Sequence, residues 1–448
     1  MKIYPDTKIY IICPGNFHTG GPELCHQLCS QLIQFGADAR MVYIEEQNFN
    51  DGDPVHGFYR KYHVPYTFEV EDAKQNILIV PEYFSEYLYM FENVQRVFWW
   101  MSVDNYIKFI AQLINAKRLN PLSAPMPKFF YFGNGDDNLN HFVQSEYARQ
   151  FVKLNGVADN KIYPVGDYLN QTFLRRAAQV DLSRKKNFVA YNPQKGLEVT
   201  QQFLKIAPDI AWKPIKNMSP AQVQERLAQA KVYIDFGEHP GRDRLPREAA
   251  ISGCVVITGK RGSAGNNIDI NISDEFKFDE KTTNPIEVVN KIRDVFKNFP
   301  AAHQKQENYR ARVFNEPKQF ANQVADAFNV KNLPPPTVAF VQGVEEKSFL
   351  MAQELFQSVE FWPRFIVDDV LATAQVSDEL ILCEQNRNYL RVGDDFIEII
   401  TRNDAKFLYH EGRIKIFALI NPNDDDFAEL KTFYESKPED ILIYELNS

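Results

Sequence analysis

Apolar residues along this chain come in short runs separated by stripes of helical spacing. Lys8–Cys13 is a short apolar run and reads as a strand. Leu24, Leu28 and Leu32 then recur every four residues, flanked by Cys25, Cys29 and Ile33, the stripe of a helix with one buried face. Gly36 ends that helix and Ala39–Ile44 supplies the next strand. This is a β–loop–α–β unit of the doubly wound type. Further strands fall at Ile77–Val80, Val97–Trp100, Phe142–Val143 and Ile162–Val165, and Ser145 stands as the N-cap of a helix.

Ala177–Lys186 is polar and charged and reads as a linker. A second set of elements follows it. Asn187–Tyr191 is a strand; Asn192-Pro193-Gln194-Lys195-Gly196 is a loop before a helix. Ser219-Pro220-Ala221-Gln222 is a capping-box start, with Val223, Leu227 and Ala230 as its buried stripe. Lys231–Phe236 is a strand, Leu245-Pro246-Arg247-Glu248 opens a helix, Gly253 stops it, and Cys254–Thr258 is a buried strand. Helices over Pro285–Asn298 and Pro317–Phe328 close this half. Pro334–Pro336 is a stiff linker. Beyond it, strands are expected at Val338–Val341, Leu380–Cys383, Phe396–Ile400, Ile414–Ile420 and Ile441–Leu446, with helices at Glu345–Phe356 and Ala428–Tyr434. The pattern predicts an α/β protein of three domains: residues 1–176, residues 187–331 and an accessory α/β module at 337–448.

Length and composition agree with that division. A chain of 448 residues exceeds one ordinary core, and 44% hydrophobic with 24% charged residues is a globular balance. The net charge of −9 argues against a duplex nucleic-acid binder, so no nucleic-acid partner is expected. Cys13, Cys25, Cys29, Cys254 and Cys383 are odd in number and form no disulfide framework. Cys25, His26 and Cys29 lack a second Cys/His pair at zinc spacing and read as buried apolar positions, so no metal is expected. Asp51-Gly52-Asp53 reads as a turn and Asp424-Asp425-Asp426 as helix-capping charge. Met1-Lys2 leads into an ordinary strand and no apolar run reaches the length of a membrane span. A reducing cytosol is the expected compartment.

The candidate chemistry is concentrated in residues 235–266. Arg242, Arg244 and Arg247 sit on a Gly/Pro-containing loop and at a helix start, an arrangement suited to an anionic ligand. Gly262, Ser263, Gly265 and Asn266 follow the Cys254–Thr258 strand, where parallel sheets bind ligands and small residues allow close backbone contact; a plain flexible loop explains them equally. Gly20 and Gly21 open the first helix and would let backbone amides approach a phosphate, although a tight turn alone also needs glycine. Asp104, after the Val97–Trp100 strand, and His18, in the Gly-Gly loop, are candidates for orienting a hydroxyl. Asp104 is also explained as a helix cap.

Three segments together carry a family resemblance. Leu245-Pro246-Arg247-Glu248-Ala249 followed by Ser252-Gly253-Cys254-Val255-Val256, the Gly20-Gly21-Pro22-Glu23-Leu24 loop, and Lys195-Gly196 after a strand resemble retaining GT-B glycosyltransferases of family 4 type. The resemblance covers residues 8–330. It implies a GT-B fold, two Rossmann-like domains facing a cleft, with a small C-terminal α/β domain outside the match. It implies transfer, with retention, from a nucleotide-diphosphate sugar, which is a substrate, so no cofactor is expected. The acceptor would be a glycan, a lipid-linked sugar or a protein, in surface polysaccharide or glycoconjugate synthesis. Glu248 takes the place of the family's second glutamate. Where the first belongs, eight residues earlier, this chain has Pro240; Glu238 is ten residues back and Asp243 five. Glu238 is therefore the partner candidate, and Lys195 the phosphate-contacting lysine. The arginine that usually precedes that lysine is replaced by Val189, Ala190 and Tyr191. Contact with the inner face of a membrane and self-association through the last domain are both compatible with the resemblance. Two other readings stand beside it: a catalytically silent GT-B-like subunit that binds a partner, and a sugar-nucleotide epimerase.

Overall fold

A computed structural model describes residues 7–119, 128–133 and 139–329, with Met1 and Ile3, and seven strands between 338 and 444. The helices read at 345–356 and 428–434 lie outside the described residues.

The first sheet has seven strands: β1 (Lys8–Pro14), β2 (Asp38–Ile44), β3 (Tyr66–Thr67), β4 (Ile77–Pro81), β5 (Gln95–Trp100), β6 (Asn140–Val143) and β7 (Ile162–Pro164). Their order is β3-β2-β1-β4-β5-β6-β7 and every pairing is parallel. Strands buried on both faces must be apolar throughout, and Ile77–Pro81 and Asn140–Val143 are buried at every position. The helix after β1, α1 (Gly20–Gln34), buries the leucine stripe foreseen in the sequence. A helix follows β5, α2 (Val103–Leu119), with Asp104 in its first turn; the sequence reading weighed a helix cap there but gave the helix no extent, because its exposed apolar residues blur the periodicity. After β6 comes α3 (Glu146–Leu154), N-capped by Ser145, which accepts from Ala148 N at 3.1 Å. Then α4 (Gln171–Ala177) follows β7.

The second sheet is smaller. It holds β8 (Lys186–Tyr191), β9 (Ala211–Pro214), β10 (Ala230–Asp235) and β11 (Val255–Thr258) in the order β11-β10-β8-β9, again all parallel. Its helices are α5 (Leu197–Ile206), α6 (Pro220–Gln229), α7 (Arg244–Ile251), α8 (Pro285–Lys297), α9 (Phe299–Gln304), α10 (Glu307–Phe314) and α11 (Glu316–Ala327). The capping box at Ser219 and Gln222 is present in full. Gly253 ends α7 with φ +79, where a Cβ would meet Leu182 at 2.7 Å. α11 reaches the first sheet: Gln323 accepts from Gly166 N at 2.9 Å, and Phe328 packs edge-on to Phe142. In both sheets the strand order reverses beside the first strand, the place where open α/β sheets bind ligands. The fold is α/β, two Rossmann-like parallel sheets with a cleft between them.

The C-terminal module is described by its strands alone: β12 (Val338–Val341), β13 (Pro363–Val367), β14 (Leu380–Cys383), β15 (Arg387–Val392), β16 (Asp395–Thr401), β17 (Ile416–Ile420) and β18 (Ile441–Tyr444). Their order is β14-β15-β16-β13-β12-β17-β18, with β14–β16 antiparallel and the rest parallel. β13 and β15 were not foreseen. No helix among the described residues is long and apolar enough to cross a membrane.

The stretch 177–186 does more than connect. Lys185 is 8% exposed, and its ammonium donates to the carbonyls of Leu227 (2.9 Å), Ala230 (2.9 Å) and Ser252 (2.5 Å). A cation there satisfies the carbonyls that the ends of α6 and α7 leave without helical partners. Lys185→Ala strands those acceptors in the interior. The expected loss is about 1–3 kcal/mol, read as a lower urea midpoint with an unchanged m value.

Candidate functional site

A cleft of about 780 Å³ opens between the C-terminal edges of the two parallel sheets. One wall comes from residues at and after the ends of β1, β2, β4, β5, β6 and β7, the other from residues at and after the ends of β8 and β10. Of the residues proposed from the sequence, Gly20, Gly21, Lys195, Arg242 and Arg244 line it.

The segment after β10 builds one wall. It crosses to the first sheet through main-chain contacts: Val103 N donates to Pro240 O at 3.1 Å, and a Cβ on Gly241 would lie 2.1 Å from Met101 O. Glycine at 241 is therefore a steric requirement of the crossing. Arg244, the first residue of α7, donates to Glu23 of α1 at 2.5 Å. Glu23 is fully buried and also accepts from Tyr62 Oη (2.8 Å) and Lys61 (3.2 Å). Burial alone would raise its carboxyl, but Arg244 and Lys61 outweigh this and hold it below the ordinary glutamate value. Lys195 donates to both oxygens of Asp243, at 2.9 and 3.0 Å. Asp243 in turn lies 3.1 Å from His239 Nδ1, and Asp235 lies 3.6 Å from its Nε2. Burial works against the charged imidazole, yet the two aspartates raise it above the usual histidine value.

The other proposed residues stand off the lining. Arg247 is 2% exposed; it pairs with Asp167 at 2.6 Å and Glu316 at 2.8 Å, and Arg242 pairs with Glu316 too. The two arms of Arg247 thus hold α7 against α11 through Glu316 and against the segment after β7 through Asp167. Glu248 lies one turn into α7, where its main-chain carbonyl accepts from Ser252 N at 3.0 Å. Burial raises its carboxyl, with Arg244 and Arg247 opposing. Glu238 is exposed and pairs with Lys108 of α2 at 2.9 Å, which lowers its pKa. Asp104 accepts from Tyr147 Oη at 2.9 Å. His18 stacks on His56 with ring centroids 4.8 Å apart, and burial lowers its pKa.

Gly262 and Ser263 support the crossing segment from behind. A Cβ on Gly262 would lie 2.1 Å from His239 O, and Ser263 Oγ donates to Gly241 O at 2.6 Å. Gly265 packs close to Lys260 O. Asn266 Nδ2 donates to Asp269 at 2.8 Å, and Asp269 accepts the N–H groups of Glu146 and Tyr147 at the start of α3.

Glu82 was missed by the sequence reading. It follows β4 directly and lines the cleft at 4% exposure, accepting from Met101 N at 2.9 Å. Burial pushes its carboxyl up to about 7, against hydrogen bonds that favour the charged form. The signal was available: Glu82 ends the apolar run that begins at Ile77, the strand end where such sheets bind ligands. Among the described residues no three His, Cys, Asp or Glu side chains cluster as metal ligands.

No protein-family model and no curated protein matches the sequence. Solved structures do resemble it. A glycosyltransferase from Rickettsia africae aligns with a TM-score of 0.48 and 11% identity, over 73% of this chain and 98% of that one. HepE of Anabaena, crystallised with UDP-glucose, aligns at 0.44 and 12% identity, over 72% and 99%. Sucrose-phosphate synthase from Thermosynechococcus elongatus aligns at 0.43 and 12%, over 79% and 100%.

The raised Glu82 carboxyl makes a pH prediction. Its folded pKa lies above the unfolded one, so the folded chain keeps a proton that the unfolded chain releases. That contribution is present below about pH 4.5 and is lost as pH rises through about 7. Glu82→Gln cannot titrate. The melting temperature of the native protein should therefore fall relative to Glu82→Gln between pH 5 and pH 8, by about 5 °C. Parallel melting curves would contradict the raised carboxyl.

Proposed function

We propose that this chain is a glycosyltransferase that takes a sugar from a nucleotide-diphosphate donor. The observation that carries the reading is the placement of the cleft's cations. Lys195, Arg242 and Arg244 all stand on the wall formed by the second sheet, and the first turn of α1, with Gly20 and Gly21, also borders the cleft. A diphosphate there meets the Lys195 and Arg244 side chains and two helix N-termini, while Arg242 is paired with Glu316 behind them. As the bond to the sugar breaks, negative charge grows on the leaving phosphate, and fixed cations stabilise it without reorganising. The crossing segment at 240–244 helps to exclude water. Retention rests on the resemblance of residues 245–258 to retaining enzymes, as does a glycan, lipid-linked or protein acceptor.

One observation favours the catalytically silent reading instead: Glu238 and Glu248 both stand off the cleft lining. Release of UDP from UDP-glucose separates the two, because a silent subunit would bind without turnover.

Lys195→Ala and Arg244→Ala should each weaken UDP binding by about 10- to 100-fold, with much less effect on uridine, because each removes a charge-assisted contact of about 1.5–3 kcal/mol. Isothermal titration measures this; undiminished UDP affinity in both variants removes them from the site. Transfer should also persist in excess chelator, since protein cations supply the charge. Complete loss, restored by magnesium, would show otherwise.

A further inference from the structure

We infer that His239 is a positioning residue for the anion site: its imidazolium shares the Asp243 carboxylate with Lys195 and so lets that lysine exchange the carboxylate for a phosphate. This rests on the donor reading and adds a control to it. Asp243 is the N-cap residue of α7, yet its side chain makes no cap hydrogen bond. An N-cap aspartate ordinarily accepts from the first amides of its helix. Here the carboxylate serves Lys195, at 2.9 and 3.0 Å, and His239 Nδ1, at 3.1 Å. The first turn of α7 is left without a side-chain cap where Asp243, Arg244 and Leu245 border the cleft.

His239 follows β10 and is fully buried. The charged groups that act on it are Asp235 at the end of β10, Asp243 before α7 and Lys195 in the loop after β8. The segment packed against its main chain supplies Gly262 and Ser263, which carry no charge. Asp235 accepts from Tyr233 Oη at 2.9 Å and from Gly237 N at 3.0 Å, which keeps its carboxylate in place beside the ring. With the imidazole charged, two anions meet two cations, and Lys195 can leave Asp243 without stranding it. With the imidazole neutral that balance is gone, and drawing Lys195 away leaves two carboxylates uncompensated. Anion affinity therefore falls as pH rises through the His239 titration. By linkage, a bound diphosphate raises that titration in return. Glu82, on the opposite wall, also titrates near neutrality, at about 7, and must be separated from His239 by substitution.

The test titrates UDP-glucose into the full-length protein from pH 6 to pH 8.5. Its diphosphate is a diester and keeps its charge across that range. Wild type, Glu82→Gln, His239→Gln and Asp243→Asn are compared, each shown by circular dichroism to be folded. The expected result is an affinity that falls about fivefold or more with rising pH in wild type and in Glu82→Gln, and a flat profile in His239→Gln and Asp243→Asn. Should neither of the last two variants fold, NMR of histidine-labelled wild type reads the same coupling: saturating UDP-glucose should raise the titration midpoint of the His239 imidazole. A slope that survives in His239→Gln, a slope that vanishes in Glu82→Gln, or a midpoint that the ligand does not move would overturn the inference. Binding that is equally tight at every pH in wild type overturns it too and leaves the donor reading standing. Absent binding at every pH overturns the donor reading, and the inference with it.

Discussion

Two arginines and two carboxylates share one buried cluster, and the geometry of the cleft depends on it. Arg242 and Arg247 flank the start of α7, Asp167 follows β7, and Glu316 begins α11. Each of the four is costly to bury alone. Together they are neutral and close, and the pairing holds Arg247 above and Asp167 below their ordinary values. Removing one member would leave an uncompensated buried charge, a loss of about 3–5 kcal/mol. The cluster therefore fixes three separate segments to one another. It sets where α7 begins, and with it the place of Arg244 and of the glycine pressed against Met101.

The cations of the cleft are not idle in the ligand-free protein. Arg244 is held by Glu23 and Lys195 by Asp243, so an incoming diphosphate must share or displace a carboxylate. Its affinity is the difference between two sets of ion pairs, which favours a ligand with more negative charge than one carboxylate. The Arg244–Glu23 pair also spans the two walls, so a ligand that takes Arg244 alters a contact that helps hold them together. The aspartates around His239 extend the same logic inward, keeping Lys195 tied to the core of the second sheet.

Much of the fold was legible because parallel strands buried on both faces must be continuous apolar runs. β1, β4, β8 and β11 were read almost to the residue. Elements with exposed apolar residues or short spans, such as α2, α9 and β9, carried no clear period. The cleft was half legible. Gly20, Gly21, Lys195, Arg242 and Arg244 announced themselves by residue type at loop and helix starts. Arg247 looked the same in sequence, yet its place inside the helix turns it toward Asp167 and Glu316, partners far away in the chain.

The sequence by itself determined the α/β class, the strand ends where a ligand can bind, and the cationic segment, because period and turn chemistry are local properties. The tertiary structure alone decided which charges face the cleft. A carboxylate such as Glu82, or a cation such as Arg247, takes its role from burial and from partners 19 to 80 residues away. No local pattern records those distances. They exist only once two sheets and the helix that rejoins them have packed.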